Sequence, residues 1–176
     1  TTEAVQALID SLGSDLRELS AACSQLASDV ALQKTIDEDD VTAYQQGRVE
    51  STGFDVADAA VEGNTPIAII NLRNALATGT DPVLIVSALA SSFRTLAKVS
   101  GASRSVKSFE LAQSMAIPPW QIDKARRQLV GWSENAMAKA VIAIAAADAD
   151  IKGAAADPIY ALERAIMTVC AARGSR

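Results

Sequence analysis

Apolar side chains recur at intervals of three and four residues along most of the chain, which is the pattern of amphipathic helices. In the first part of the chain this pattern predicts three short helices, each with one apolar stripe. The first helix covers residues 4–12 and ends at Gly13. The second is capped by Ser14 or Asp15 and carries Leu16, Leu19, Cys23, Leu26 and Val30 on one face. The third begins at a cap within 35–40 and extends to about Gln46. Together they predict a small three-helix bundle.

A polar stretch with two glycines, residues 47–53, follows this bundle. Glycine weakens a helix interior, so the stretch predicts a hinge between two domains. We therefore predict a smaller domain over residues 1–47 and a larger one over residues 54–176.

The larger domain has helical periodicity throughout, with prolines and capping residues at the predicted helix starts. The predicted helices cover residues 54–62, 65–78, 82–100, 109–115, 118–128, 133–152 and 157–172, with starts marked by Thr65-Pro66, Asp81-Pro82, Pro118-Pro119, Ser133 and Asp157-Pro158. On the long helix after Pro82, the predicted apolar face includes Val83, Val86, Ala90, Phe93 and Leu96. No segment shows the two-residue alternation of a strand, so the predicted fold class is all-α, a small bundle followed by a larger one.

Composition supports this fold class, because alanine supplies much of the 49% hydrophobic content while aromatic residues make up only 4%. The net charge of −5 is unevenly distributed. Residues 1–63 carry thirteen acidic and three basic side chains, whereas residues 64–176 carry eight acidic and thirteen basic ones. This asymmetry fits two units with different neighbours and argues against broad capture of DNA by the whole chain.

The two cysteines, Cys23 and Cys170, are far apart and each lies within an apolar helical pattern. We interpret them as buried free thiols, with a disulfide as the alternative. The chain opens in a helical pattern without Met or a secretory signal, which predicts an excised segment of a cytoplasmic protein. The apolar stretch 136–147 is too short to span a bilayer, so no membrane is expected as a partner.

The chain contains no histidine, which removes the commonest general base and most zinc sites. The acidic cluster 37–40 is favourable at a helix start and lacks the pattern of a calcium loop. Residues 101–108 imitate a phosphate-binding loop, but Val106 stands where that loop needs glycine before its lysine. We therefore predict no catalytic residue, no metal site and no cofactor.

Asp148 falls on the apolar stripe of the predicted helix 133–152, four residues before Lys152. An ion pair with Lys152 or a polar contact to a neighbouring helix is the favoured interpretation. A small helical enzyme that uses Asp148 as its carboxylate is a weaker alternative.

Residues 109–128 predict a helix, a short turn and a second helix that carries Lys124, Arg126 and Arg127. A helix-turn-helix DNA-binding regulator is therefore an alternative function. Pro118, Pro119 and Trp120 occupy the helix start where base-reading polar side chains normally lie, so packing with a basic outer face is favoured. The three cations remain candidate contacts to nucleic acid or to a partner protein.

Short sequence strings stand in a definite order along the chain. They are Gly13-Ser14-Asp15-Leu16-Arg17, Val61-Glu62-Gly63-Asn64, Ala75-Leu76-Ala77-Thr78-Gly79, Asp81-Pro82, Ile117-Pro118-Pro119-Trp120, Lys124-Ala125-Arg126-Arg127-Gln128, Ala147-Asp148 with Ile151-Lys152-Gly153, and Asp157-Pro158 with Ala161-Leu162-Glu163-Arg164. In order and spacing they resemble the C-terminal two-thirds of the delta subunit of bacterial DNA polymerase III, over nearly the whole chain. The alanine content and the Pro-Pro-Trp string resemble an actinobacterial member most.

The resemblance implies that residues 1–47 are most of the helical lid of an AAA+-like module and that residues 54–176 are a collar domain. Through the collar, a delta subunit joins delta-prime and tau/gamma subunits in the pentameric ring that loads the sliding clamp on primed DNA. The domain that grips the sliding clamp would lie outside this chain, and DNA would be contacted only indirectly. The parent assembly would be the DNA polymerase III holoenzyme, a DNA-directed DNA polymerase, while this chain would be no enzyme.

Arg17 matches the helix in which active relatives of this family carry a nucleotide-sensing arginine. Delta subunits resemble such modules without working as ATPases. The resemblance therefore implies a vestigial, sensor-like position for Arg17 with a packing role.

Overall fold

The computed structural model describes residues 1–12, 16–30, 34–103, 105–154 and 157–173, and of residues 49–51 and 154 the backbone alone. Within these ranges the chain forms nine α-helices and no strand, which confirms the predicted all-α fold class. The helices are α1 (Thr2–Leu12), α2 (Leu16–Asp29), α3 (Glu38–Val61), α4 (Thr65–Ala77), α5 (Pro82–Ser100), α6 (Ser108–Met115), α7 (Pro119–Gln128), α8 (Glu134–Ala149) and α9 (Pro158–Ala172). The chain divides into two compact units, Thr1–Val49 and Glu50–Arg176.

The first unit packs α1, α2 and the beginning of α3 around a small core. Its buried side chains are Ala4, Leu8, Ala22, Leu26 and Val41. Polar contacts at the edge of this core join the same helices, since the Gln45 amide donates to the Ala7 carbonyl at 3.4 Å and Arg48 lies 3.1 Å from Glu18. The predicted cap at Ser14 or Asp15 lies outside the described residues.

The start of α3 is fixed by a reciprocal pair of hydrogen bonds within the acidic cluster. The Asp40 amide donates to the Asp37 carboxylate at 3.1 Å, and the Asp37 amide donates to the Asp40 carboxylate at 3.1 Å. This is the geometry of a capping box, and it lies within the predicted cap region 35–40. Lys34 adds an ion pair to Asp40 at 2.8 Å, so the cluster serves the helix end.

The prediction that Cys23 is buried is wrong, because the structure exposes its thiol. Of the predicted stripe of α2, Leu26 is buried and Leu19 packs against the same core, but Ala22 takes the buried position expected for Cys23, and Leu16 is 80% exposed. Alanine fits a core position without standing out in the apolar pattern, so the pattern favoured Cys23 over Ala22. Cys170 is a buried free thiol, as predicted.

The stretch 47–53, predicted as a polar hinge, is helical, since α3 continues through these positions to Val61, while the division between the two units, at Val49 and Glu50, lies within it. Buried residues such as Val56 and Ala60 extend the helical pattern after the glycines. At Gly53 a Cβ atom would lie 3.4 Å from the Ala88 Cβ atom, so glycine allows α3 and α5 to approach closely. This packing offsets the cost of about 1 kcal/mol that glycine brings to a helix interior. The assignment of the two units as lid and collar stays a prediction.

In the second unit α5 is the central helix, with α7, α8 and α9 packed against it. Its buried side chains include Phe93, whose ring meets the ring of Trp132 edge to face at a centroid distance of 5.1 Å. The Trp132 indole donates to the Val61 carbonyl at 3.0 Å, which joins the end of α3 to the loop before α8. By length and composition α5 could cross a membrane, but a core helix passes the same test.

The helix starts of this unit follow the predicted capping residues with one exception. Asp81, Ser133 and Asp157 each accept a hydrogen bond from a backbone amide of the first turn. For α4 the cap is Asn64 rather than the predicted Thr65, because the Asn64 side chain reaches the Ile67 amide at 3.3 Å.

The helix predicted to reach residue 152 ends earlier. The α-helix stops at Ala149 and a π-helical turn, Asp150–Ala154, follows it. Gly153 in that turn has a φ of +122°, a conformation that side chains other than glycine rarely adopt.

Candidate interaction surfaces

The basic residues of α7 were the main candidate contacts from the sequence, and the structure gives two of them partners inside the bundle. The Lys124 ammonium group binds the Asp58 carboxylate on α3. The Gln128 amide donates to the other oxygen of that carboxylate at 3.1 Å, and Gln128 is itself buried. This polar cluster ties α7 to α3.

Arg126 ties α7 to the loop before α6. Its guanidinium donates to the Val106 carbonyl at 2.6 Å, to the Ser108 hydroxyl at 3.2 Å and to the Ser103 carbonyl at 3.4 Å. The Ser108 hydroxyl in turn donates to the Asp123 carboxylate. Arg126 therefore holds a loop in place, whereas the sequence had assigned it to an outer face.

Arg127 is exposed and makes no ion pair or hydrogen bond with the part of the chain that the structure describes. It lines a surface depression of about 580 Å³ together with Glu62, Asn64 and Arg173. Arg173 is committed to backbone carbonyls, those of Val130 at 3.0 Å and of Glu62. A contact of Lys124, Arg126 or Arg127 with nucleic acid or a partner stays a prediction, and Arg127 is the best placed of the three.

A second cavity, of about 410 Å³, lies on the same side of α7 between α3, α5 and α7. We call it the aromatic cavity because Phe54 and Trp120, which are 40% and 62% exposed, both line it. Its other lining residues are Asp55, Asp58, Ser91, Ser92, Thr95, Gln121, Lys124, Ala125 and Gln128. From the sequence, Trp120 was an argument against base reading and part of the Pro-Pro-Trp string, and neither Trp120 nor Phe54 was a candidate contact. Large aromatic side chains at exposed helix positions were the available signal.

The helices α4 and α9 pack against each other and both expose large apolar side chains. Thr65 hydrogen-bonds to Cys170, and Arg73 lies 3.7 Å from Glu163, so the two helices run antiparallel. On α4 the exposed apolar side chains include Ile67 and Ile70, and on α9 they include Met167, all between 45% and 52% exposed; we refer to these three side chains as the α4–α9 face. Burial raises the pKa of the Cys170 thiol on α9, although its hydrogen bonds partly oppose the shift.

Asp148 and Arg17 have separate places in the structure. The Asp148 carboxylate pairs with Lys152 at 2.8 Å, as predicted, so its charge is compensated. Both residues line a groove of about 640 Å³ between α5 and α8, together with Arg94. Arg17 lies on the exposed side of α2 in the first unit, and its sensor-like position stays a prediction. Across the described ranges, no three potential metal ligands cluster together.

Comparison with known proteins identifies the second unit. The family model of the DNA polymerase III delta subunit, C-terminal domain, matches residues 50–169. A solved structure of the Bacillus subtilis DNA clamp loader delta protein (YqeN) is similar in fold, with a TM-score of 0.63 and 19% sequence identity. This similarity covers 97% of the present chain and 51% of the Bacillus chain, so the present chain spans about half of that protein's length. No curated protein matches the chain.

The family match covers the α6–α7 pair and favours the delta-subunit interpretation over a helix-turn-helix regulator. The actinobacterial origin stays a prediction. The chain belongs to the DNA polymerase III delta subunit family, and residues 50–169 are its C-terminal domain.

Proposed function

We propose that this chain is an assembly module of a clamp-loader delta subunit, in which residues 54–176 act as the collar and residues 1–47 as most of an AAA+-like lid. Its partners would be the delta-prime and tau/gamma subunits, in the ring that loads the sliding clamp on primed DNA in the cytoplasm. The match of residues 50–169 to the delta C-terminal domain carries this proposal. Contact with the sliding clamp would belong to another domain of the delta subunit, and contact with DNA would be indirect.

The surface of the second unit supports a docking role. The α4–α9 face exposes three large apolar side chains, Ile67, Ile70 and Met167, on two helices that pack against each other. Stable protein interfaces bury roughly 800 Å² on each partner and have apolar side chains at their centre. We therefore place a subunit contact at the α4–α9 face.

The chemistry of the chain supports assembly rather than catalysis. The chain has no histidine, and the carboxylates singled out as candidates have other tasks. Asp148 is paired with Lys152, while Asp37 and Asp40 cap α3. In this proposal the chain contributes binding surfaces to the polymerase holoenzyme and no reactive group.

A binding experiment with purified delta-prime and tau/gamma collars tests the proposal. The unaltered chain should form a complex, and Ile70→Glu should weaken it about tenfold or more, because a charge at an interface centre is desolvated without a partner. Val130→Glu is the matched control, since Val130 is 68% exposed but lies after α7, outside the α4–α9 face. Equal weakening by both variants would refute the docking role of this face.

Duplex DNA separates the proposal from the helix-turn-helix alternative. At physiological salt the chain should bind DNA weakly and without sequence preference, and Arg127→Glu should lower that affinity. Tight, sequence-specific binding to duplex DNA without any complex with the collars would overturn the assembly role.

A further inference from the structure

The aromatic cavity combines features that suit one kind of ligand group. Phe54 and Trp120 provide exposed aromatic rings in a chain with only 4% aromatic residues. Its volume of about 410 Å³ lies within the range of roughly 300–1,000 Å³ that is typical of ligand pockets. The cavity can therefore accept a side chain of another protein together with part of its backbone.

The charge of the cavity wall favours a cation. Asp58 is compensated by Lys124 and Gln128. The Asp55 carboxylate is exposed and has no ion pair or hydrogen bond with the described residues. The hydrogen bond that Asp55 accepts from the Asn71 side chain goes to its backbone carbonyl. Asp55 is thus the uncompensated charge of the wall, and it opposes the binding of nucleic-acid phosphates.

Hydroxyl groups complete the wall on the side of α5. Ser91, Ser92 and Thr95 line the cavity, and none of their hydroxyls has a hydrogen-bond partner in the described part of the chain. These oxygens, with the Asp55 carboxylate, offer several acceptors to a group that carries many N–H donors. A guanidinium has five such donors on a planar frame that also stacks on aromatic rings.

We infer that the aromatic cavity binds an arginine side chain from a segment of another protein, with the guanidinium stacked on Trp120 or Phe54 and paired with Asp55. This inference goes beyond the proposed function and does not depend on it, because any protein that carries the segment would serve. Arginine is favoured over lysine because the ammonium group is a point charge that satisfies fewer of the acceptors.

The test titrates the whole chain with short capped peptides, Ac-Gly-Arg-Gly-NH2 and its lysine, glutamine and glutamate counterparts. The indole N–H signals of the two tryptophans report on the result. Trp120 lines the cavity, whereas the Trp132 indole is bonded to the Val61 carbonyl and serves as an internal control. The arginine peptide should shift the Trp120 signal at millimolar concentration and leave the Trp132 signal in place, while the glutamine and glutamate peptides should shift neither.

Two variants test the assigned contacts. Asp55→Asn and Phe54→Ala should each weaken binding of the arginine peptide about fivefold or more. Glu134→Gln, which removes an exposed carboxylate outside the cavity, should leave the affinity unchanged. An unchanged Trp132 signal shows that each variant is folded.

The inference is overturned by equal binding of the arginine and glutamine peptides, by equal binding of the arginine and lysine peptides, or by unchanged affinity in Asp55→Asn. It is also overturned if a thymidine oligonucleotide shifts the Trp120 signal while the arginine peptide does not. A shift of that signal with chain concentration alone would make a second copy of this chain the occupant, against the inference.

Discussion

The neighbouring residues Arg126 and Arg127 allow a direct test of how α7 is built. Arg126→Ala removes the 2.6 Å hydrogen bond to the Val106 carbonyl, the 3.2 Å bond to Ser108 and the longer contact to Ser103. A hydrogen bond from a charged donor contributes about 1.5–3 kcal/mol, and contacts near 3.4 Å add little. Because the guanidinium is partly exposed, we expect a loss of about 2 kcal/mol in the free energy of unfolding.

Arg127→Ala is the matched control, since the side chain is exposed and should change that free energy by less than about 0.5 kcal/mol. Urea unfolding followed by tryptophan fluorescence measures both variants, and it reports on the second unit because Trp120 and Trp132 both lie there. Arg126→Lys should fall between the two, because an ammonium group cannot reach all three acceptors. Equal stability of the two alanine variants would refute the role of Arg126 in holding the loop.

Three further predictions concern α3 and the cysteines. Gly47→Ala should stabilise α3 by about 0.5–1 kcal/mol, because no atom lies within 4 Å of the added Cβ atom. Amide hydrogen exchange measures this gain, and a hinge at this position would give none. The hydrogen bond from Lys34 holds the pKa of Asp40 below its ordinary value of about 3.9. The ionised Asp40 carboxylate therefore contributes its full stability above about pH 3.9, and this contribution is lost as the pH falls through the lowered pKa. The protection of the α3 first-turn amides, as the exchange rate relative to the intrinsic rate at each pH, should therefore decrease in acid, less so in Asp40→Asn, and identical pH profiles would contradict this role. Iodoacetamide should modify Cys23 in the native chain and Cys170 only after unfolding, as mass spectrometry would show, and rapid native labelling of Cys170 would contradict its burial.

Local signals in the sequence predicted helix starts better than they predicted helix interiors. An aspartate or serine cap acts within one turn, so Asp81, Ser133 and Asp157 could be identified from their neighbours alone. The helical state of Gly53 depends instead on Ala88 of another helix, and no local rule contains that contact. The same limit explains Cys23, because an alanine-rich helix has two stripes of nearly equal apolar character.

The prediction of a basic outer face on α7 missed the partners of Lys124 and Arg126 for a related reason. Charge and helical spacing place Lys124 and Arg126 near the surface. They cannot show that the Asp58 carboxylate binds Lys124 or that the Val106 carbonyl accepts a hydrogen bond from Arg126. A cation that binds its own fold is less available to DNA. Of the candidate contacts on α7 only Arg127 keeps that availability in the described structure, so counting basic residues overstates the affinity for nucleic acid.

The surfaces that carry the proposals arise where helices distant in sequence meet. Phe54 and Trp120 lie on α3 and α7, and only their packing around α5 places both rings at one cavity. On α7 the buried positions are Ile122, Ala125 and Gln128, so Trp120 departs from the apolar stripe of its own helix. Exposing so large an apolar side chain gives the isolated bundle little stability, whereas burying it against a partner contributes to binding. A large aromatic residue outside its helix stripe is therefore a better sequence signal for a docking surface in an alanine-rich bundle than the charge of the helix that carries it.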